Sequence, residues 1–179
     1  MAHKFSAARA GEQTVFGAQR PGYPSTGVAA AKVDEWIAFM VANGIRRVVC
    51  LLPEEQLAYY AVPLLGKYTE VFGSENVRHV SVPDYHLIRG DELENNLLPF
   101  LRESDSTKQP TVVHCSGGSG RTGHVLAAWL ARARGLTATS AIETVTQTHR
   151  NPREAVESGN ALEAELVAII SGGTDKPGA

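Results

Sequence analysis

The feature that most constrains the fold of this chain is a strand that leads directly into a glycine-rich loop and then into a helix. The strand is predicted over Thr111 to His114, after a turn at Lys108-Gln109-Pro110, and the residues from His114 to Gly123 read HCSGGSGRTG. A helix is predicted to begin within this loop, because apolar residues recur at helical spacing after it, and Gly135 is placed to end that helix. A strand, loop and helix in this order are typical of a mostly parallel sheet covered by helices.

The rest of the chain continues this alternation of strands and helices. Apolar and β-branched runs predict strands over 46–52 and 77–82. Helical spacing of apolar residues predicts helices over 29–42, 54–65, 91–102, 138–149 and 159–170. The chain is therefore predicted to be an α/β three-layer sandwich, with a central, mostly parallel sheet flanked by helices.

The length of the chain suits one domain. It has 179 residues, of which 43% are hydrophobic, and a chain of this size can bury a core that is stable without disulfide bonds. We expect a single domain over residues 14–170. Small and polar residues predominate outside it and predict flexible termini at 1–13 and 171–179.

Charge and cysteine content exclude several classes of function. The formal net charge of −2 offers no basic face for nucleic acid or for an anionic membrane surface. Two cysteines cannot build a disulfide framework, and no cluster of ligand residues predicts a metal, so we expect neither a metal nor another cofactor. The chain has no apolar run long enough to cross a bilayer, and its N-terminus lacks the apolar core of a signal peptide. These features predict a cytoplasmic protein.

The glycine-rich loop predicts a site for an anion. A loop between a strand and a helix N-terminus points several backbone N–H groups at one place, and its glycines let it curl around that place. The residues predicted to bind the anion are Ser116, Gly117, Gly118, Ser119, Gly120 and Arg121. The guanidinium of Arg121 closes the cradle, since its planar fork binds two phosphate oxygens at once.

Cys115 lies at the mouth of this loop, where the amide dipoles, the following helix and Arg121 all favour a thiolate. A thiolate in that position is expected to attack phosphorus, while the amides and Arg121 stabilise the charge on the other phosphate oxygens. A phosphocysteine intermediate follows, and the Thr122 hydroxyl is expected to donate to the sulfur as it leaves in the second step. His114 is expected to hold the loop through hydrogen bonds rather than to act as a base.

The string HCSGGSGRTG fits the pattern HCxxGxxR[ST], and with it the chain resembles the protein-tyrosine phosphatase superfamily. Within that superfamily it is similar to the compact dual-specificity branch over roughly residues 15–170. Other landmarks of the branch lie outside the loop: Arg20-Pro21-Gly22-Tyr23-Pro24, Gly44-Ile45 before Val48-Val49-Cys50-Leu51-Leu52, and Val82-Pro83-Asp84-Tyr85. The resemblance implies a phosphatase fold and the hydrolysis of phosphomonoesters by way of the cysteine.

The resemblance also implies a general acid on a separate loop upstream of the nucleophile. Asp84 follows Pro83 and lies 31 positions before Cys115. A carboxylic acid there protonates the leaving oxygen and afterwards, as a carboxylate, activates water. Asp91 is the alternative acid, although its position after Gly90 also suits a helix N-cap.

The second half of the reaction is where the chain departs from the family pattern. Many members place a glutamine downstream of the loop to position the hydrolytic water. The matching stretch here reads AVESGN and has no glutamine, so Asn160 is the expected replacement, with a side chain shorter by one methylene.

Two interpretations are open for Cys50. Its strand is apolar, which predicts a buried core thiol. Because neighbouring parallel strands end at the same edge of a sheet, Cys50 is also a candidate for a reversible disulfide with Cys115. Such a bond would protect the nucleophile from overoxidation.

The predicted function is a phosphoprotein phosphatase that hydrolyses phosphotyrosine. The compact length predicts a shallower pocket than in the longer tyrosine-specific members, able to take phosphoserine and phosphothreonine as well. The expected partner is therefore a phosphorylated protein or another phosphomonoester. A phosphate-binding adaptor with little turnover and a phosphoinositide phosphatase are the alternatives, the latter disfavoured because the loop carries no lysine. Sulfur transfer on a rhodanese-like domain is disfavoured by Arg121-Thr122 at this spacing.

Overall fold

A computed structural model describes residues 2–173 of the chain, and within this range it contains a five-stranded sheet. Its strands are β1 (Ser6–Ala7), β2 (Val15–Gln19), β3 (Arg47–Cys50), β4 (Val77–His79) and β5 (Thr111–Cys115). Along the sheet the strands follow the order β1-β2-β5-β3-β4. The pairing of β1 with β2 is antiparallel and the other pairings are parallel. The predicted α/β class with a mostly parallel sheet is confirmed.

Helices cover both faces of this sheet. They are α1 (Ala30–Ala42), α2 (Glu54–Leu57), α3 (Leu64–Phe72), α4 (Gly90–Glu92), α5 (Leu98–Ser106), α6 (Gly120–Arg134), α7 (Ala138–Thr146), α8 (Glu154–Glu157) and α9 (Glu163–Ser171). A π-helical turn, Leu93–Leu97, joins α4 to α5. None of the helices within residues 2–173 is long and apolar enough to cross a membrane.

The alternation of side chains along the strands divides the core into two layers. Val112 of β5 faces a layer formed with α1 and α3, whereas Val113 faces a layer formed with α5, α6, α7 and α9. Each layer contains one fully buried tryptophan, Trp36 in the first and Trp129 in the second. The central strands are thus buried on both faces, which is why they read as continuous apolar runs in the sequence.

β5 is the central strand and sets the position of the glycine-rich loop. It pairs with β2 on one side and with β3 on the other, and all five of its residues are buried. After the loop, α6 begins at Gly120 and ends before Gly135, which has a left-handed φ of 73°. The loop therefore lies beyond the carboxyl end of the central strand, where open parallel sheets bind their ligands.

Residues 2–13 pack as part of the fold, in contrast to the flexible terminus predicted over 1–13. β1 pairs with the outer edge of β2, and a 3₁₀-helical turn, Ala2–Lys4, precedes it. The ring of Phe5 stacks on the ring of Phe16, with 5.2 Å between their centroids. Pairing with a sheet edge and stacking of an aromatic ring hold this segment in the fold, and neither contact can be inferred from its small and polar residues.

Two other boundaries differ from the prediction. The helix predicted over 54–65 is interrupted, because α2 ends early and α3 begins only after Pro63, a residue type that disfavours a helix immediately before it. At the C-terminus α9 includes Ser171, the first residue of the tail predicted over 171–179. Residues 174–179 of that tail lie outside the described residues.

Candidate active site

The glycine-rich loop joins the end of β5 to the start of α6 and is held by two buried arginines. The backbone N–H of Arg20 donates to Ser116 O at 3.0 Å, and Arg150 Nη1 donates to Gly118 O at 3.2 Å. Gly118 has a φ of 64°, and a Cβ there would lie 2.5 Å from the carbonyl oxygen of Ala18. The close approach of the loop to β2 therefore requires glycine at this position.

A cavity of about 360 Å³ opens over this loop. Six residues predicted from the sequence line it: Asp84, Cys115, Ser116, Gly117, Ser119 and Arg121. Five further residues complete its wall from other parts of the chain: Lys4, Gln19, Tyr23, Tyr85 and Glu154. The fold thus brings the candidate nucleophile, the candidate acid and the arginine of the loop to one cavity.

Arg121 is buried, with 2% of its side chain exposed, and three groups hold its guanidinium. Nη2 donates to Asp84 Oδ1 at 2.7 Å, while Nη1 donates to Val82 O at 3.0 Å and to Gln56 Oε1 at 3.1 Å. Gln56 Nε2 in turn donates to Asp84 Oδ2 at 3.0 Å, so one amide connects the arginine to the carboxylate. Arg121 Nε is buried and has no hydrogen-bond partner among residues 2–173. A donor of this kind beside a cavity suits an oxyanion.

Asp91, the alternative acid, lies outside this arrangement. It is exposed in α4 and accepts hydrogen bonds from Arg89 Nε at 3.0 Å and from the backbone N–H of Glu92 at 3.0 Å. Between the two carboxylates considered from the sequence, the fold places Asp84 beside the loop.

His114 and Thr122 are fully buried on either side of the loop. His114 Nε2 lies 3.1 Å from Tyr68 Oη, and burial lowers the pKa of the imidazole to about 3. A neutral, buried ring suits a supporting role rather than that of a base. The Thr122 hydroxyl has no hydrogen-bond partner in the described part of the chain, so its predicted bond to the cysteine sulfur is not formed in this structure.

Asn160 does not line the cavity over the glycine-rich loop. Its side chain is exposed, and its Nδ2 donates to the backbone carbonyl of Tyr85 at 3.0 Å. Asn160 therefore braces the segment that carries Asp84. The role in positioning water that the sequence predicts for it stays a prediction, which this contact does not support.

Cys50 and Cys115 are both free thiols, and they belong to opposite layers of the core. Cys50 lies opposite His114 in the register of β3 and β5, in the layer that contains α1. Burial raises the pKa of the Cys50 thiol to about 12. These observations fit the interpretation of Cys50 as a core thiol, and its disulfide with Cys115 stays a prediction.

Three contributors to the site carry no signal in the sequence. Gln56 lies in the short helix α2, Lys4 lies in the segment predicted to be flexible, and Glu154 begins α8. Burial raises the pKa of the Glu154 carboxyl, and the charge of Asp84 raises it further. Gln56, Lys4 and Glu154 reach the site only because distant parts of the chain pack together, and no local sequence pattern indicates such packing.

A cysteine at the end of the central strand, followed by a loop of amides and a buried arginine, defines the class of cysteine-dependent phosphatase domains. Residues 25–168 match the family model described as the Swiss Army Knife protein, DSP-PTPase phosphatase domain. Because this match covers most of the chain, the chain belongs to that family. The predicted membership of the compact dual-specificity branch is thereby confirmed.

Known proteins agree with this assignment. The tyrosine-protein phosphatase cdc-14 of Caenorhabditis elegans is 45% identical over 42 residues, which make up 24% of this chain and 6% of that protein. The crystal structure of Tk-PTP in the active form has a TM-score of 0.66 at 24% identity and covers 93% of this chain and 98% of that chain. Kinase associated phosphatase (KAP) has a TM-score of 0.63 at 19% identity, with 87% and 83% covered. The two solved structures show the shared fold.

Proposed function

We propose that this protein hydrolyses phosphotyrosine, and also phosphoserine and phosphothreonine, in phosphorylated proteins by way of a phosphocysteine intermediate. The proposal rests on the hydrogen bonding of the Arg121 guanidinium, which lines the same cavity as Cys115. Its Nε donor has no partner among the described residues, and its Nη2 donor is bound to the carboxylate of Asp84. One guanidinium thus offers a donor to a phosphate oxygen and holds the candidate acid within reach of it.

In the first step the Cys115 thiolate attacks phosphorus and the bond from phosphorus to the ester oxygen breaks. Asp84 gives its proton to that oxygen, while the loop amides and Arg121 stabilise the charge on the three remaining oxygens. The phosphate and Asp84 compete for Arg121, since both are anions and Nη2 faces the carboxylate in this structure. Binding of the substrate therefore releases the Asp84 carboxyl from its ion pair and leaves it free to carry the proton.

In the second step water attacks the phosphocysteine. The bond from phosphorus to sulfur breaks, its electron pair returns to Cys115 Sγ, and Asp84 accepts a proton from the water. The buried Thr122 hydroxyl, which lies in the first turn of α6, is the available donor to the departing sulfur.

The cavity supports an aromatic phosphate ester as substrate. Tyr23 and Tyr85 line it and are 43% and 50% exposed, so their rings offer walls to a planar phenyl group. An adjoining cavity of about 530 Å³ shares Gln19 and Tyr23 with the first, which leaves room for residues that flank the phosphorylated side chain.

Release of p-nitrophenol from p-nitrophenyl phosphate tests the proposal. The wild-type protein should turn over, and Cys115→Ser should fall to the rate of background hydrolysis. Cys50→Ala is the matched control, because Cys50 is the second of only two cysteines and belongs to the core layer opposite that of Cys115. Acid quenching of the wild-type reaction should trap phosphate on Cys115, detectable by mass spectrometry. Turnover that survives Cys115→Ser would contradict the assignment of the nucleophile.

A phosphate-binding adaptor is the second candidate, and the position of Asn160 favours it. The side chain of Asn160 is engaged with Tyr85, so the second step lacks the helper predicted from the sequence. Calorimetric binding of inorganic phosphate without any turnover would support this candidate. A phosphoinositide monophosphate belongs in the same assays, because Lys4 supplies to the cavity the lysine that the loop itself lacks.

A further inference from the structure

Glu154 brings a second carboxyl group into the cavity that already contains Asp84. It is the first residue of α8 and packs against Gly120, the first residue of α6. A Cβ at position 120 would lie only 2.6 Å from Glu154 Cβ, so the absence of a side chain there is what lets Glu154 approach the loop. The glycine of the loop and the glutamate of α8 thus fit together as one unit.

The carboxyl of Glu154 forms no ion pair among the described residues, although Lys4 and Arg121 are both near enough to influence it. Arg121 is paired with Asp84, and the backbone N–H of Gly120 favours the carboxylate form of Glu154. Asp84 and Glu154 line the same cavity, and burial together with the charge of Asp84 raises the pKa of the Glu154 carboxyl. An acceptor that lines the same cavity as the candidate base, and that forms no ion pair among the described residues, is suited to bind water between them.

We propose that Glu154 positions the water that hydrolyses the phosphocysteine, an inference that rests on the function proposed above. Glu154 accepts a hydrogen bond from one hydrogen of the water, and Asp84 accepts the other hydrogen as a proton. The water oxygen forms a bond to phosphorus, the bond from phosphorus to Cys115 Sγ breaks, and the sulfur retains the electron pair. Phosphate leaves, and the protonated Asp84 is ready for the next substrate.

Glu154 is better placed for this role than the residue that the sequence indicates. Asn160 is exposed and bound to Tyr85 O, whereas Glu154 lines the cavity together with Cys115. Gln19 also lines the cavity and is the rival for the same role. Gln19 lies at the end of β2 and also borders the adjoining cavity, whereas Glu154 is not in the wall of that second cavity and packs against the loop at Gly120.

Rapid-quench kinetics with p-nitrophenyl phosphate separate the two chemical steps. Glu154→Ala should lower kcat by about 10²-fold, because the attacking water is no longer positioned. The value of kcat/KM reports the formation of phosphocysteine and should stay within about twofold of the wild-type value. A burst of p-nitrophenol approaching one per active site should precede the slow phase, and phosphate should accumulate on Cys115. Glu154→Gln should restore most of kcat, because its amide oxygen can accept the same hydrogen bond from water.

Glu157→Gln is the matched control, since Glu157 lies in the same helix and is bound to Asn151 Nδ2 at 2.6 Å outside the cavity. It should show the wild-type kcat and no burst. The proposal is overturned if Glu154→Ala lowers kcat and kcat/KM together, if phosphocysteine does not accumulate, or if Gln19→Ala produces the burst instead. A wild-type protein that neither turns over nor forms phosphocysteine would refute the proposed function itself, so the two failures are distinguishable.

Discussion

Replacement of Asp84 by asparagine tests whether this carboxyl is the general acid. The substitution keeps the size of the side chain and an oxygen for Arg121 Nη2, but it removes both the transferable proton and the negative charge. General acid catalysis contributes about 10²–10⁴-fold to a rate, which corresponds to about 3–5 kcal/mol of the barrier. We therefore expect kcat/KM for phosphotyrosine, whose leaving group is a poor one, to fall by about 10²-fold or more.

The same substitution should have an opposite effect on phosphate binding. In the structure Asp84 Oδ1 lies 2.7 Å from Arg121 Nη2, and the Asp84 side chain is 40% exposed whereas that of Arg121 is 2% exposed. Because solvent screens the exposed partner, the pair is worth about 1 kcal/mol. Without the competing carboxylate, inorganic phosphate should bind about fivefold more tightly to Asp84→Asn than to the wild type.

A comparison of two substrates checks the reasoning. The p-nitrophenolate anion leaves readily without a proton. The factor by which Asp84→Asn lowers kcat/KM should therefore be about tenfold smaller, or less still, for p-nitrophenyl phosphate than for phosphotyrosine. Inhibition by inorganic phosphate measures the binding effect in the same assay. Asp91→Asn is the matched control, since Asp91 is exposed and paired with Arg89. Equal losses for both substrates, or a larger loss in Asp91→Asn, would refute the assignment of Asp84.

Two further predictions concern the stability of the loop and of the buried histidines. Gly118→Ala should lower the free energy of unfolding by about 2 kcal/mol or more, because of the left-handed φ of 64° and the clash with β2. Gly117→Ala is the control: the nearest atom to its Cβ would be Tyr23 Oη at 3.4 Å, so a thermal melt should show a smaller loss of stability. Burial lowers the pKa of His114 and of His124 to about 3, below the unfolded value of 6.5, so the unfolded chain binds more protons. The stability that depends on these neutral rings is complete above pH 6.5 and decreases as the pH falls from 6.5 toward 3, by up to about 1.4 kcal/mol per pH unit for each ring. Urea midpoints at pH 7 and pH 5 measure this decrease, and an unchanged midpoint would contradict it.

The central elements of the fold could be predicted because their patterns are local and strong. β3, β5, α1 and α6 are long apolar runs or stripes, and the structure contains all four. β2 was not predicted, since Gly17 interrupts its apolar run and leaves no clear alternation. It is a strand because β5 pairs along its whole length and because Arg150 fills the space beside Gly17, with Nε 2.7 Å from where a Cβ would be.

By itself the sequence determined the chemistry of the loop. The cysteine, the glycines and Arg121 lie within seven residues, and their relative positions follow from the backbone of one strand, one loop and one helix N-terminus. The tertiary structure decided what faces them: Asp84 instead of Asp91, Gln56 as a connection between arginine and carboxylate, and Glu154 instead of Asn160 in the cavity wall. The physical reason is that local geometry depends on neighbouring dihedral angles, whereas contacts between distant residues depend on strand pairing and on the packing of helices over the whole sheet.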